Sequence, residues 1–147
     1  MKQFALVVFL ACVAATLAAP RLEADPAKAK ASQEKLKEAH QKCQSNPATS
    51  VDQQALKALR DGGEKPANYG AHALCISQNL GWQNADGSVN KDVVQSRAEA
   101  IFGQSPKLSE IVNECTQPQA NAEETAIYLT RCYAKYSPRP SGAPPGH

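Results

Sequence analysis

The chain has 147 residues, in which 16 lysines and arginines are balanced by 14 aspartates and glutamates, for a formal net charge of +2. With no basic stripe and no polybasic patch, this balance argues against nucleic acid or a charged membrane surface as a partner. The length is that of one small domain, with room for a single hydrophobic core.

Residues 1–18 have the layout of a secretory signal peptide. Lys2 provides a positive start, residues 4–13 form a short apolar stretch, and small residues follow at Thr16 and Ala18. The apolar stretch is too short to span a bilayer, which argues against an uncleaved anchor. We therefore expect cleavage after Ala18, secretion, and a mature domain over residues 19–136.

Helix signals dominate the mature chain, and strand signals are almost absent. Helix-start residues recur, each followed by apolar residues at three- and four-residue spacing. Asp25 and Pro26 predict the start of a first helix that runs to about residue 44. Its apolar face is expected to carry Leu36, Ala39 and Cys43.

Two further helices are predicted in the first half of the chain. Ser50 and Gln53 form a capping box for a second helix, which the glycines at 62–63 end. Pro66 is expected to open a third helix that ends near Gly81.

The second half predicts a turn and three more helices. The turn is the sequence NADGS at residues 84–88, and Asn90 then caps a fourth helix that stops at Gly103. Ser105 with the following proline starts a fifth helix. Asn121 and Glu124 start a sixth, which has the clearest apolar periodicity: Ala122, Ala126, Leu129, Tyr133 and Tyr136. The four prolines and two glycines of residues 137–147 predict a flexible tail.

Five cysteines are present, and Cys12 lies in the expected signal peptide, so four remain in the mature chain. An even number in a small secreted protein predicts two disulfides, and the residues alone leave three connectivities open. The wide spacing argues against a redox CxxC motif or a zinc knuckle. The four are Cys43, Cys75, Cys115 and Cys132.

The segments around these cysteines resemble the insect odorant-binding proteins of the pheromone and general odorant-binding type. They read AHALCISQNLGWQNADGSVNKDVV, LSEIVNEC and NAEETAIYLTRCYAKY, and the resemblance covers nearly the whole mature chain apart from the tail. The family's second and fifth cysteines fall on Ala71 and Glu123. The chain therefore resembles the four-cysteine subgroup known as minus-C.

The resemblance also implies the disulfide pairing and the function. It implies the bridges Cys43–Cys75 and Cys115–Cys132, which join cysteines that lie near each other along the chain. It implies an all-α, compact bundle of about six helices around an internal apolar cavity. The expected function is that of a secreted carrier, which binds small hydrophobic ligands reversibly in an extracellular fluid such as sensillar lymph or haemolymph.

The walls of that cavity are expected on the apolar faces of the helices. The expected ligand-binding residues are Leu56, Leu59, Leu74, Leu80, Val94, Ile101, Leu108, Ile111, Val112, Tyr128, Leu129 and Tyr133. Tyr128, Tyr133 and Ser77 are candidates to donate a hydrogen bond to a ligand. Trp82 is expected to pack on the core rather than to touch the ligand.

The three histidines, His40, His72 and His147, lie on separate elements without metal-ligand spacing. We expect His72 to be a solvated helix residue. The alternative is that its titration near pH 6 couples ligand release to acidity.

No catalytic pattern is present: the chain has no nucleophile elbow, no Cys–His pair and no paired carboxylates. We therefore expect no enzyme activity, no cofactor and no metal. We also expect no stable membrane insertion and no nucleic acid, and a membrane receptor only as an indirect partner. The alternative function is a secreted protein-interaction module whose core is filled by its own side chains.

Overall fold

The computed structural model describes residues 26–136 of the chain. Within this range the only strand-like pairing is an isolated bridge between Gln83 and Val89. The helices are α1 (Pro26–Gln44), α2 (Gln53–Arg60), α3 (Tyr69–Asn79), α4 (Lys91–Phe102), α5 (Leu108–Cys115) and α6 (Ala122–Tyr136). The predicted all-α fold of six helices is confirmed. The predicted signal peptide and tail lie outside the described residues.

Asparagine side chains start two of the helices, as predicted. The Asn90 carboxamide oxygen accepts a hydrogen bond from the backbone N–H of Val93 at 3.3 Å. The oxygen of Asn121 accepts one from the N–H of Glu124 at 2.9 Å. Each bond satisfies a donor that the first turn of a helix leaves unpaired, so α4 and α6 begin directly after these residues.

The start of α2 differs from the prediction. Asp52, and not Ser50, caps this helix, because the Asp52 carboxylate accepts a hydrogen bond from the N–H of Ala55 at 2.7 Å. Ser50 belongs instead to the turn after α1, where its N–H donates to the carbonyl of Asn46 at 2.8 Å. The predicted capping box is therefore wrong.

The predicted starts of the third and fifth helices, which were placed at prolines, are also wrong by two or three residues. The third helix begins at Tyr69 and not at Pro66, because Asn68 has a left-handed φ of 62° that interrupts the helical path. The fifth begins at Leu108, after a turn in which the Leu108 N–H donates to the carbonyl of Ser105 at 2.9 Å. In both places the proline lies in a turn before the helix.

The predicted apolar face of α1 is only partly buried. Ala39 and Cys43 are buried, whereas Leu36 is 46% exposed. The burial of α1 is concentrated near its C-terminal end, where Cys43 bridges to α3, and Leu36 lies before that region. A position on the same apolar face as Ala39 and Cys43 is therefore not enough to bury Leu36.

The helix α6 is central to the packing, since it contacts both α3 and α5, while α4 packs against α5 and α1 packs against α3 and α4. The largest group of buried apolar side chains lies between α4, α5 and α6, and we call it the main core. Its members are Val94, Ala98, Phe102, Leu108, Val112, Cys115, Leu129, Cys132 and Tyr133. Each large side chain buried there contributes roughly 1.5–3 kcal/mol.

A second, smaller cluster lies between α3 and α6, with Ala73, Ala126 and Ile127 buried. The two helices approach closely at the start of α3. A Cβ atom added at Gly70 would lie 3.0 Å from the Cβ of Glu123, which is inside ordinary contact distance. The absence of a side chain at Gly70 is therefore what permits this approach.

Both implied disulfides are confirmed. Cys43 is bonded to Cys75 and ties α1 to α3, and Cys115 is bonded to Cys132 and ties α5 to α6. Each closes a loop of moderate length, so each stabilises the fold by roughly 3–4 kcal/mol through the lost entropy of the unfolded chain.

The predicted turn at residues 84–88 is also confirmed, and a buried glutamine attaches it to α6. The Asn84 N–H donates to the carbonyl of Ser88 at 2.8 Å. The Gln83 side-chain amide donates to the carbonyls of Gly87 at 2.9 Å and Ala122 at 3.0 Å. These bonds place the α3–α4 connection against the first residue of α6.

Candidate functional site

An open groove lies between α1, the end of α3 and α4, and its volume is about 730 Å³. The first helix contributes residues of its last three turns, and α4 contributes residues of its first two turns. The lining residues are Lys35, Glu38, Ala39, Lys42, Asn79, Leu80, Asp92, Val93, Ser96 and Arg97. This volume falls in the range of small-molecule sites in proteins.

A smaller hollow of about 190 Å³ adjoins it between α1 and α4. The two share Lys35, Ser96 and Arg97, and the smaller one adds Lys28, Ala31, Ser32 and Ala100. We call the two together the α1–α4 groove. Its floor includes small and apolar residues, and its rim is polar.

The charges around the α1–α4 groove are unequal. Four cations line it, namely Lys28, Lys35, Lys42 and Arg97, against the two carboxylates of Glu38 and Asp92. Within residues 26–136 the ion pairs are Lys65–Glu124 and Lys135–Glu114, and neither involves a groove residue. The groove is therefore locally positive, although the chain as a whole is nearly neutral.

Arg97 is the most constrained of these cations. It is half-buried, and its guanidinium carbon lies 5.9 Å from the ring centroid of Trp82, within the range of a cation–π contact. Its Nε atom is buried and has no hydrogen-bond partner among the described residues. Desolvation by burial lowers the pKa of the guanidinium, which nevertheless stays charged.

Trp82 connects this arginine to the main core. Its ring stacks on Tyr133 with a centroid distance of 5.8 Å and an interplanar angle of 23°. The Tyr133 hydroxyl donates to the carbonyl of Val94 at 3.0 Å, and burial raises the pKa of this phenol. Trp82 therefore packs on the core, as expected, and also lies against a residue of the groove.

The PBP/GOBP family model matches residues 26–136, which is most of the chain and all of the described helices. The chain belongs to this family. It is the insect odorant-binding protein family, a family of binding proteins and not of enzymes. Searches of curated proteins and of solved structures each found no match. None of the described helices of this family member is long and apolar enough to cross a membrane.

The side chains predicted to bind ligand are distributed over several places in this PBP/GOBP structure. Seven lie in or against the main core: Val94, Ile101, Leu108, Ile111, Val112, Leu129 and Tyr133. Leu74 packs against the second cluster, and only Leu80 of the twelve lines the α1–α4 groove. Leu56 is buried and Leu59 half-buried on α2, and Tyr128 is half-buried on α6. The structure therefore brings seven together as packed core.

The predicted hydrogen-bond donors are not equivalent. The hydroxyl of Tyr133 bonds to Val94, whereas Ser77 is fully buried and its hydroxyl has no partner among the described residues. The half-buried Tyr128 makes no side-chain hydrogen bond within residues 26–136. Ser77 and Tyr128 therefore remain candidate donors.

The sequence interpretation of His72 is wrong. This residue is 2% exposed, and its Nδ1 lies 2.7 Å from the carbonyl oxygen of Thr49. Its Nε2 lies 3.1 Å from Nδ1 of His40, although the two histidines are 32 residues apart in the chain. No local pattern predicts this contact, because it depends on the packing of α1 against α3.

Sequence reasoning also missed the cations of the α1–α4 groove. Lys28, Lys35 and Lys42 recur every seven residues, which places them on one side of α1. That periodicity was a usable signal for a basic helix face. No sequence pattern indicates that Arg97 lies near these lysines, because only the packing of α1 against α4 brings it to the groove.

Proposed function

We propose that the protein is a secreted carrier, which binds small hydrophobic ligands reversibly and transports them in extracellular fluid. The observation that carries this proposal is the α1–α4 groove, whose larger hollow has a volume of about 730 Å³, in a member of a family of binding proteins. Leu80, Val93 and Ala39 offer apolar surface in the groove, and the polar rim keeps its mouth hydrated.

The expected affinity is modest. Burying a chain of about ten methylenes gains roughly 8 kcal/mol, from which association costs of several kcal/mol are subtracted. An open groove leaves part of the ligand in contact with water, which reduces this gain further. We expect micromolar dissociation constants and rapid release, which suit a carrier that equilibrates with its surroundings.

The twelve residues predicted from the sequence remain a second candidate lining. Seven of them pack together in or against the main core, so a ligand among them requires that core to open. Two variants distinguish the sites. Ser96→Phe places a ring in the groove at an exposed position, whereas Val112→Ala creates space in the main core. Groove binding is weakened by the first variant, and core binding is altered by the second.

Secretion is part of the same proposal. Residues 1–18 read as a signal peptide, and two disulfides are typical of oxidising, extracellular surroundings. Expression of the full chain in insect cells, followed by N-terminal sequencing of the protein from the medium, is the test. A mature protein that starts at Ala19 is expected, and retention of the full chain inside the cells contradicts the proposal.

We also propose that the chain belongs to the four-cysteine subgroup of its family. Ala71 lies on α3 and Glu123 on α6, the two helices that a third bridge would join. In this structure α3 and α6 pack closely at Gly70 and Glu123 without a covalent bond between them.

The binding experiment is a titration of the mature, disulfide-bonded protein with a fluorescent apolar probe such as N-phenylnaphthylamine. Long-chain alcohols, aldehydes, esters and fatty acids then compete for the probe. Saturable binding that a subset of these displaces supports the carrier function. If no ligand binds saturably at neutral or acidic pH, the carrier function fails, and a protein-interaction module with a filled core becomes the better account.

A further inference from the structure

The α1–α4 groove combines an apolar surface with an uncompensated positive charge at one point. Arg97, Lys35 and Ser96 lie where the two hollows meet, since all three line both. Neither cation has a carboxylate within ion-pair distance in the described part of the chain. A partly desolvated guanidinium without an ion-pair partner is a strong hydrogen-bond donor to a carboxylate.

The apolar residues lie to one side of this point. Ala39, Leu80 and Val93 line the larger hollow, next to Arg97 and Lys35. An elongated ligand with its head at Arg97 therefore has apolar surface beside it for its chain. The methylene stems of Lys35 and Lys42 add to that surface while their ammonium groups stay in water.

We propose that the α1–α4 groove binds a free fatty acid, with the carboxylate on Arg97 and Lys35 and the alkyl chain along Ala39, Leu80 and Val93. This inference rests on the proposed carrier function and names its ligand class. A neutral alcohol of equal length fills the same volume, but it leaves the charges of Arg97 and Lys35 unpaired. The groove therefore prefers the acid over the alcohol.

The tryptophan provides a direct readout. Trp82 is the only tryptophan of the chain, and Arg97 lies over its ring. A carboxylate that engages Arg97 changes the charge next to the indole, so binding in the groove shifts or quenches the intrinsic emission. A ligand that enters the main core also reaches Trp82, through the stacked ring of Tyr133, so the Arg97 variants below are needed to assign the emission change to the groove.

The experiment titrates the mature protein with dodecanoic acid and with dodecan-1-ol, and follows both by Trp82 emission and by isothermal titration calorimetry. The acid is expected to bind about tenfold more tightly than the alcohol, because one charge-assisted hydrogen bond in a partly exposed site contributes about that factor to the affinity. Its affinity decreases as salt is added, whereas that of the alcohol does not decrease.

Three variants locate the site. Arg97→Gln lowers the affinity for the acid about tenfold and leaves that for the alcohol nearly unchanged, and Arg97→Lys restores most of the loss. The matched control is Arg131→Gln, which removes an exposed arginine on α6 outside the groove and changes neither affinity. Circular dichroism of each variant verifies that the helices are intact.

The outcomes separate this inference from the carrier function. Equal affinities for acid and alcohol overturn the preference for a carboxylate and leave the carrier function standing. If Arg97→Gln and Arg131→Gln reduce the preference for the acid equally, the proposed position of the carboxylate at Arg97 is wrong. If a second copy of the chain or a protein fragment occupies the groove, the acid fails to bind and light scattering detects the complex. If neither compound binds and no other apolar ligand does, the carrier function itself fails.

Discussion

His72 and His40 form a direct hydrogen bond between α3 and α1, with 3.1 Å between Nε2 of the first and Nδ1 of the second. The carbonyl of Thr49 can only accept, so Nδ1 of His72 donates to it. His40 Nε2 then faces the side-chain amide N–H of Gln53 at 3.5 Å. With Nε2 of His40 accepting from Gln53 and its Nδ1 donating to Nε2 of His72, the imidazole of His40 is neutral.

The first prediction concerns pH. Burial, then His72, then Arg60 lower the pKa of His40 below its ordinary 6.5. The unfolded chain therefore binds a proton at His40 more readily than the folded protein does. The free energy of unfolding is expected to be highest above this ordinary pKa and to fall as the pH decreases through it.

Urea unfolding followed by circular dichroism at several pH values measures this dependence. In His40→Asn a carboxamide replaces the imidazole and does not titrate, so the pH dependence is expected to be weaker. An unchanged dependence in this variant shows that other groups cause it.

The second prediction concerns the cap of α2. Asp52→Ala removes the acceptor for the N–H of Ala55, and we expect the free energy of unfolding to fall by about 1 kcal/mol. Asp61→Ala, at the other end of the same helix, is the matched control. It removes a negative charge from the C-terminal end and is expected to be neutral or slightly stabilising. Equal losses in the two variants argue against a specific role for the cap.

The third prediction compares two glycines with similar backbone conformations. Gly87 has φ +87°, and an added Cβ would lie 2.5 Å from the Cβ of Ala122, whereas Gly62 has φ +91° and nothing within 4 Å. Gly62→Ala is expected to cost about 1 kcal/mol, from backbone strain alone. Gly87→Ala is expected to lower the free energy of unfolding by about 1–3 kcal/mol more than Gly62→Ala does, because the turn must move away from α6. Thermal and urea unfolding measure the loss of stability in each variant. Equal losses mean that the turn moves away from α6 without a measurable loss of free energy.

The fourth prediction concerns the hydroxyl of Tyr133. Tyr133→Phe removes its hydrogen bond to the carbonyl of Val94, and we expect a loss of about 1 kcal/mol in the free energy of unfolding. Tyr128→Phe on the same helix is the control, because this hydroxyl makes no side-chain hydrogen bond within residues 26–136. A loss of similar size in both variants attributes the effect to the ring environment and not to the bond.

Local patterns predicted most of the helix boundaries, because the interactions that make a helix end are local. Asn90 and Asn121 cap helices through their own side chains, and Gly103 ends α4 with a φ of 67°. The error at the start of α2 arose because two local signals competed. Ser50 and Asp52 are both good capping residues, and the turn after α1 already uses the first.

Long-range contacts explain what the patterns missed. A periodic apolar pattern predicts which residues share a face but not how deeply each is buried, and on α1 Ala39 is buried whereas Leu36 is exposed. Similarly, the apolar stripes predicted wall residues for a cavity, and most of these side chains pack against each other in the main core. Whether an apolar face lines a core or a groove depends on which helix lies opposite.

By itself, the sequence determined that the chain is helical, where most helices end, and which family it belongs to. These properties depend on the chemistry of neighbouring residues and on the spacing of the cysteines. Only the tertiary structure decided that His40 meets His72 and that Arg97 and Lys35 line the same groove beside Trp82. These residues are far apart in the chain and come together because α1 packs on α3 and α4. The type of each residue does not predict which distant residue it will contact.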